Sequence, residues 1–335
     1  MIDYSQYGQA LLLQQLIADE MPRILVDIGA HDGVCGSNSR ALLEQGWRGL
    51  LVEPLPEVFE RLKENSSKFA NVSLVHAACS DRTGISTIRV GRDGALGQMS
   101  TFSQDPQVVA NLSDQVIEVQ TATLPSLLET HNIPDNFGVL LVDTEGWDLT
   151  VLQGLIHTHA RPRIIVTEDL ASTDQAKYGL LESLGYQNMG FWGSDSFWSS
   201  GAAKTGGARF EPPVHQLPPS WQPSGNHAGT GRCMLDRSGF YRSSIAGWAW
   251  VQLDSPPPED VFLVLKSVET GAERIFAAWR NPRPDVAEAF QSEALLFSGF
   301  RAYLNVEPGD YQVTVIQQGA DYFTSACAGN VTLPH

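Results

Sequence analysis

Residues 24–54, ILVDIGAHDGVCGSNSRALLEQGWRGLLVEP, decide the fold. Ile24, Leu25, Val26 and Ile28 make an apolar run, the pattern of a strand buried on both faces. Gly29 and Gly33 then let the backbone turn and approach a ligand with no side chain in the way. Ser37 to Gln45 has helical spacing, with Leu42 and Leu43 facing inward. Leu50, Leu51 and Val52 form the next strand, and Glu53 stands at its carboxyl end. In an open α/β sheet, ligands bind outside the carboxyl ends of the strands, where the topology switches. A carboxylate there can accept hydrogen bonds from two ribose hydroxyls.

Working outward, apolar strands and amphipathic helices alternate to about Gly193. A helix over Tyr4–Asp19 leads in, and a helix from Val58 ends near Asn65. Strands are expected at Val72–Ala77, Ile85–Val90, Val116–Thr121, Val139–Val142 and Arg163–Val166. Helices are expected at Leu124–Thr130, Thr150–Leu155 and Leu180–Leu184. Gly91 to Gln107, rich in Gly, Ser and Gln, reads as a loop beside the site. The alternation implies an α/β domain with a mostly parallel, doubly wound sheet covered on both faces. Acids recur at the strand ends: Asp27, Glu53, Asp143 and Glu168. One such acid is commonplace, whereas four along one sheet edge argue for a site.

Gly201 to Gly231 is rich in Gly, Pro and Ser and reads as a linker. Beyond it, short strands at Ile245–Val251, Val261–Val268, Arg274–Ala278, Phe300–Val306, Tyr311–Gln317 and Tyr322–Ala326 are joined by hairpin turns. A short helix spans Asp285–Gln291. This pattern suggests an all-β sandwich. The expected boundaries are 1–200 for the α/β domain, 201–232 for the linker and 233–335 for the β-domain.

The 335-residue length favours two domains, and the net charge of −16 argues against a nucleic-acid partner or an anionic membrane surface. No run of about 20 apolar residues predicts a membrane span, and the amino terminus lacks a basic leader pattern. The four cysteines, Cys35, Cys79, Cys233 and Cys327, form no CxxC pair. Free thiols and a cytoplasmic location are therefore expected.

A dinucleotide fold would show GxGxxG after the first strand. Here Gly29-Ala30-His31-Asp32-Gly33 is GxxxG, with His31 where the second glycine makes room for pyrophosphate. Asp27, Asp32 and Glu53 would also repel phosphates. An adenosine cofactor without phosphates, S-adenosylmethionine, fits better: a ribose for Glu53, an ammonium for the acids, a carboxylate for donors at Ser37 and Asn38.

DIGAHDG, SNS, GWRGLLVEP and the later LLVDTEGWDLTVLQG resemble the FkbM family of S-adenosylmethionine-dependent methyltransferases over about Ile24–Leu170. The resemblance implies a class I methyltransferase (Rossmann-like) fold, and O-methylation of a hydroxyl on a sugar or polyketide. It carries cofactor roles onto Asp27, Gly29, Gly33 and Glu53. With Ser37 and Asn38, the bordering residues Ala30, Pro54 and Ala78 complete the candidate cofactor set. In one departure, Leu141 stands where the family often has lysine before its DxEG segment.

Methyl transfer needs positioning above all, with help from a general base for a weakly nucleophilic hydroxyl. Asp143, Glu145 and Glu168 are the candidate bases. The spacing fixes no metal, so none is assigned, although the three carboxylates offer suitable oxygens. Phe191, Trp192, Phe197 and Trp198 read either as an aromatic platform for a sugar ring or as core. The β-domain reads as a glycan-binding module or a surface for homo-oligomers. Rival functions are a nucleotide-cofactor oxidoreductase or epimerase, and a non-catalytic glycan-binding protein on a degenerate methyltransferase fold. The expected acceptor is a glycan or another hydroxyl-bearing small molecule.

Overall fold

The structure is a computed structural model that describes residues 2–91, 101–102, 112–169, 174–201, 214–221, 226–227, 232–235, 244–250, 258–319 and 322–333. Most of the loop expected at 91–107, and most of the expected linker, lie outside the described residues. Two compact units form: Leu12–Phe210, and Met1–Leu11 together with Glu211–His335. The sequence boundaries differ by keeping the first residues with the α/β domain. The reason is a non-local pairing: Ile2 bridges Arg280, and the Asp3 N–H donates to the Arg280 carbonyl at 2.6 Å.

The first unit follows the strand–helix alternation. Helix α1 (Gln9–Leu16) runs across the boundary at Leu12, and the unit continues with β1 (Ile24–Ile28), α2 (Arg40–Glu44), β2 (Arg48–Glu53), α3 (Pro56–Ser66), β3 (Val72–His76), β4 (Ala78–Ser80), β5 (Gly84–Gly91) and β6 (Leu112–Thr123). They continue as α4 (Leu124–Thr130), β7 (Val139–Val142), α5 (Asp148–Gln153), β8 (Ile164–Glu168), α6 (Asp174–Ser183), β9 (Gln187–Trp192) and β10 (Asp195–Ser199). The main sheet has seven strands in the order β3-β2-β1-β7-β8-β10-β9. Its first five strands are parallel, and β10 runs antiparallel to both neighbours. A smaller sheet, β4-β6-β5, sits beside it.

Strand residues alternate between two cores. Val26, Ile28, Leu50, Val52, Leu140, Val142 and Ile165 pack on one face. Leu25, Leu51, Val139, Leu141, Ile164, Val166 and Phe197 pack on the other. Each buried Leu, Ile or Val contributes about 1.5–3 kcal/mol relative to exposure. The hairpin β9–β10 was not expected from the sequence. Phe197 and Trp198 lie in it fully buried, so these two belong to the core and form no open platform; Phe191 is exposed.

Strand order reverses between β1 and β7, which is the topological switch point. There the two following loops touch. Gly29 has φ +87°, and a Cβ on it would lie 1.7 Å from the Asp143 carbonyl oxygen. Ladder bonds hold this approach in place: Gly29 and Ala30 N–H both donate to the Val52 carbonyl at 3.0 Å, and Asp143 N–H donates to the Ile28 carbonyl at 2.9 Å.

The second unit is β-rich: β11 (Gln216–Leu217), β12 (Asn226–His227), β13 (Arg232–Leu235), β14 (Ser244–Trp250), β15 (Asp260–Ser267), β16 (Glu273–Asn281), α7 (Pro284–Ala289), β17 (Gly299–Tyr303), β18 (Gly309–Gln318) and β19 (Tyr322–Leu333). The strands follow one hydrogen-bonded path, β12-β19-β18-β15-β16-β17-β14-β13, with β11 on β16. Trp250 is buried with Val286 and Leu295, so core packing claims this tryptophan. Cys35 and Cys79 are free, whereas Cys233 is disulfide-bonded. That corrects the expectation of free thiols throughout: wide spacing along the chain did not keep the Cys233 sulfur apart from another once the β-unit folded.

Gly29→Ala and Gly46→Ala separate backbone strain from collision. Gly46 has φ +84° and open space where a Cβ would go. We expect Gly46→Ala to cost about 1–2 kcal/mol, the penalty of a left-handed alanine. Gly29→Ala should cost at least ~3 kcal/mol in urea denaturation, because the collision adds to the same strain. Equal losses would show that the Gly29–Asp143 approach constrains nothing.

Candidate functional site

Strand register lines up the carboxyl edge. Val52, Ile28, Val142 and Thr167 share one row, so the next positions, Glu53, Gly29, Asp143 and Glu168, share the row above it. Asp195 of β10 pairs with Glu168 and extends the row. Glu53 and Asp143 are two strand spacings apart, roughly 10 Å. Sequence-selected acids from three strands are thus brought into one cleft edge.

Glu53 is buried, and its carboxylate clamps the glycine loop. Oε2 accepts from the His31 N–H at 3.0 Å, and Oε1 accepts from the Leu55 N–H at 2.9 Å. Each oxygen keeps a lone pair for a further donor. Burial raises the Glu53 carboxyl to about 7 even against these bonds. Asp27, at the end of β1, is raised to about 6 by burial, with a hydrogen bond to Ser39 opposing the shift. Asp32 turns the loop after Gly29: its Oδ1 accepts from the Val34 and Cys35 N–H groups, both at 2.8 Å. Burial works against its ionised form, but the His31 hydrogen bond and these amides outweigh it and hold Asp32 low.

The other candidates have definite surroundings. Ser37 Oγ accepts from the Arg40 N–H at 3.1 Å and so caps α2 locally. The Asn38 amide donates to Asp195 Oδ2 at 3.0 Å. Ala30 is buried among Leu12, Leu51 and Leu141. Ala78 packs with Leu55, Val58 and Ile88. The Pro54 carbonyl meets His76 Nε2 at 3.1 Å, and the His76 ring stacks on Phe59 with centroids 4.6 Å apart.

Asp143, Glu145 and Glu168 come together: one carboxylate oxygen from each lies within 4.8 Å of the others. Asp143 is exposed, Glu145 is half-buried and Glu168 is buried. Burial, then Asp148 and Asp195, raise its carboxyl. Glu168 is raised well above the usual carboxylate range, by burial first and then by Asp143, Glu145 and Asp148. The two carboxyls therefore compete for a proton well above the usual carboxylate range. Glu145 has a left-handed backbone, φ 53°, followed by Gly146 at φ 86°.

Three contributors escaped the sequence reading. Asp148 organises the turn after β7, accepting from Thr144 Oγ1 and Thr167 Oγ1, both at 3.0 Å. Asp195 is raised to about 6 by burial. Lys177 of α6, 1% exposed, binds Asp169 at 2.5 Å and Asp174 at 3.2 Å. The last acid of DTEGWD signalled Asp148; Asp195 and Lys177 had no local signal. The free thiols are inert at neutral pH, because burial pushes Cys79 up to about 12 and Cys35 higher still.

A family model described as the methyltransferase FkbM domain matches residues 27–188. No curated protein matches. Among solved structures, precorrin-6y C5,15-methyltransferase from Geobacter metallireducens is 15% identical over 57% of this chain and 85% of its own, with a TM-score of 0.32. A fibronectin type III domain of human collagen XX is 14% identical over 34% of this chain and 99% of its own, with a TM-score of 0.22. WbdD is 10% identical over 81% of this chain and 59% of its own, with a TM-score of 0.27. At these scores the structural likenesses carry no weight; the family match does.

Glu53 gives a pH prediction. An acid that binds its proton more tightly when folded stabilises the fold at low pH and ceases to as pH rises through its folded value. The Glu53 contribution should be full below about pH 4.5 and lost by about pH 7. In thermal melts across that window, the parent should lose stability relative to Glu53→Gln. Parallel curves would contradict a raised Glu53.

Proposed function

We propose that this chain is an S-adenosylmethionine-dependent O-methyltransferase acting on a hydroxyl of a sugar in a polysaccharide or glycan precursor; the match of residues 27–188 to the methyltransferase FkbM domain supports this reading. The observation that carries this reading is the single row Glu53–Gly29–Asp143–Glu168 at the switch point.

The cofactor fits the residues present. The glycine backbone is bare where it meets Asp143, Glu53 keeps acceptor capacity for a ribose, and the acidic edge suits a cationic sulfonium and ammonium. The same acids disfavour a pyrophosphate, which weighs against a nicotinamide cofactor. When bound, the cofactor supplies an activated methyl group, which no side chain of this protein can offer. Glu53 then orients the ribose, and the loop Gly29–Gly33 provides close backbone walls. At the acceptor, a hydroxyl held beside Asp143 and Glu168 would receive that methyl group. The Asp143–Glu168 pair would take the hydroxyl proton. A carboxyl pair with proton affinity raised toward neutrality suits that task better than an ordinary carboxylate.

For the second unit we propose a folded-over β-sandwich in an accessory role. Supporting this, a Cβ on Gly329 of β19 would lie 3.2 Å from Leu235 of β13, near opposite ends of the strand path.

Calorimetry with S-adenosylhomocysteine tests the cofactor. We expect saturable binding, weakened more than tenfold in Glu53→Ala while the melting profile stays cooperative. Binding of NAD in its place, or binding indifferent to Glu53, would sink the reading. In a methyl-release assay on a glycan panel, Asp143→Asn should cut kcat by about 100-fold or more; unchanged turnover would remove Asp143 from the reaction.

A further inference from the structure

Three carboxylates converge beyond β7 and β8. One oxygen each from Asp143, Glu145 and Glu168 lies within 4.8 Å of the others. A second observation concerns Glu168 alone. It is 9% exposed, and its Oε2 is buried without a hydrogen-bond partner. A buried carboxylate oxygen without a donor costs free energy that a folded protein ordinarily avoids. Lys177 does not relieve it through its ammonium–carboxylate contacts, which go to Asp169 and Asp174. The neighbours Asp148 and Asp195 only add negative charge.

We propose that Asp143, Glu145 and Glu168 hold a divalent cation of the hard, oxygen-seeking class: Mg²⁺, Mn²⁺ or Ca²⁺. The all-oxygen donor set, with no His or Cys, selects that class over zinc or copper. The span also fits: oxygens on opposite sides of a calcium ion at about 2.4 Å are about 4.8 Å apart, so three oxygens within that limit can share one ion. A neutral alternative, two carboxyls sharing a proton, serves Asp143 and Glu168 but does not account for the approach of the Glu145 carboxylate to both. Three single-oxygen ligands leave about three of six positions open on an octahedral ion. On the methyltransferase reading, those positions take water and the oxygens of an acceptor with adjacent hydroxyls. The ion site itself does not depend on that reading.

The test uses the full chain stripped of metal with a chelator. Mn²⁺ is titrated in, and free Mn²⁺ is followed by its electron paramagnetic resonance signal; Mg²⁺ and Ca²⁺ serve as competitors. One saturable site per chain is expected. Glu168→Gln and Glu145→Gln should each weaken it at least tenfold, while Asp135→Asn, at an exposed acid, leaves it unchanged. Thermal melts check folding; if Glu168→Gln does not fold, Glu145→Gln decides. Only weak, salt-sensitive binding in the parent, or parent-like binding in Glu145→Gln, would overturn the proposal. S-adenosylhomocysteine affinity, read on the same samples, separates the outcomes. Intact nucleoside binding without a Mn²⁺ site rejects the ion and keeps the methyltransferase reading. A Mn²⁺ site without nucleoside binding does the reverse.

Discussion

The contact on which the site depends is between two backbones: Gly29 against the carbonyl of Asp143. With a Cβ at Gly29 only 1.7 Å from that oxygen, no other residue fits unless the switch point opens. The approach lets the β1 loop and the β7 loop share one floor. Glu53 then closes the arrangement from the β2 side, gripping the loop through the His31 N–H. Sheet register does the rest, because a row of positions across parallel strands becomes a row of side chains at the edge. The chemistry of Glu53, Asp143 and Glu168 is thus set by backbone geometry before any ligand arrives.

That edge is electrostatically expensive. Asp27, Glu53, Asp143, Asp148, Glu168 and Asp195 all hold protons above their ordinary range, with burial the first cause in each. A fold optimised only for stability would not gather such groups. Functional sites commonly depart from local stability rules in this way. The accumulated charge is a reason to expect cationic ligands at this edge, whether a sulfonium or a metal ion. It is also a reason to expect phosphates to be turned away.

Much of this was legible in the sequence, and what was not has physical reasons. The apolar runs of β1, β2, β7 and β8 announced themselves because strands buried on both faces carry little else. Glu53, Asp143 and Glu168 could be placed because each directly follows or ends such a run. β10 was missed because Asp195, Ser196 and Ser199 are buried polar residues that break the apolar pattern. Their partners come from distant segments, as with Asn38, 157 positions away. Ser37 and Asn38 were read as cofactor donors from residue type; what residue type could not show is that the Ser37 oxygen also accepts from the Arg40 N–H and the Asn38 amide also donates to Asp195. The pairing of Ile2 and Asp3 with Arg280 was equally invisible, since no local pattern encodes a contact across the whole chain.

The most direct measurement of the central claim is a crystal structure of the protein with S-adenosylhomocysteine. The account predicts ribose hydroxyls on the Glu53 carboxylate, the nucleoside against the Gly29–Gly33 backbone, and the sulfur turned toward Asp143 and Glu168. A nucleoside bound elsewhere, or one whose sulfur points away from Asp143, would contradict it.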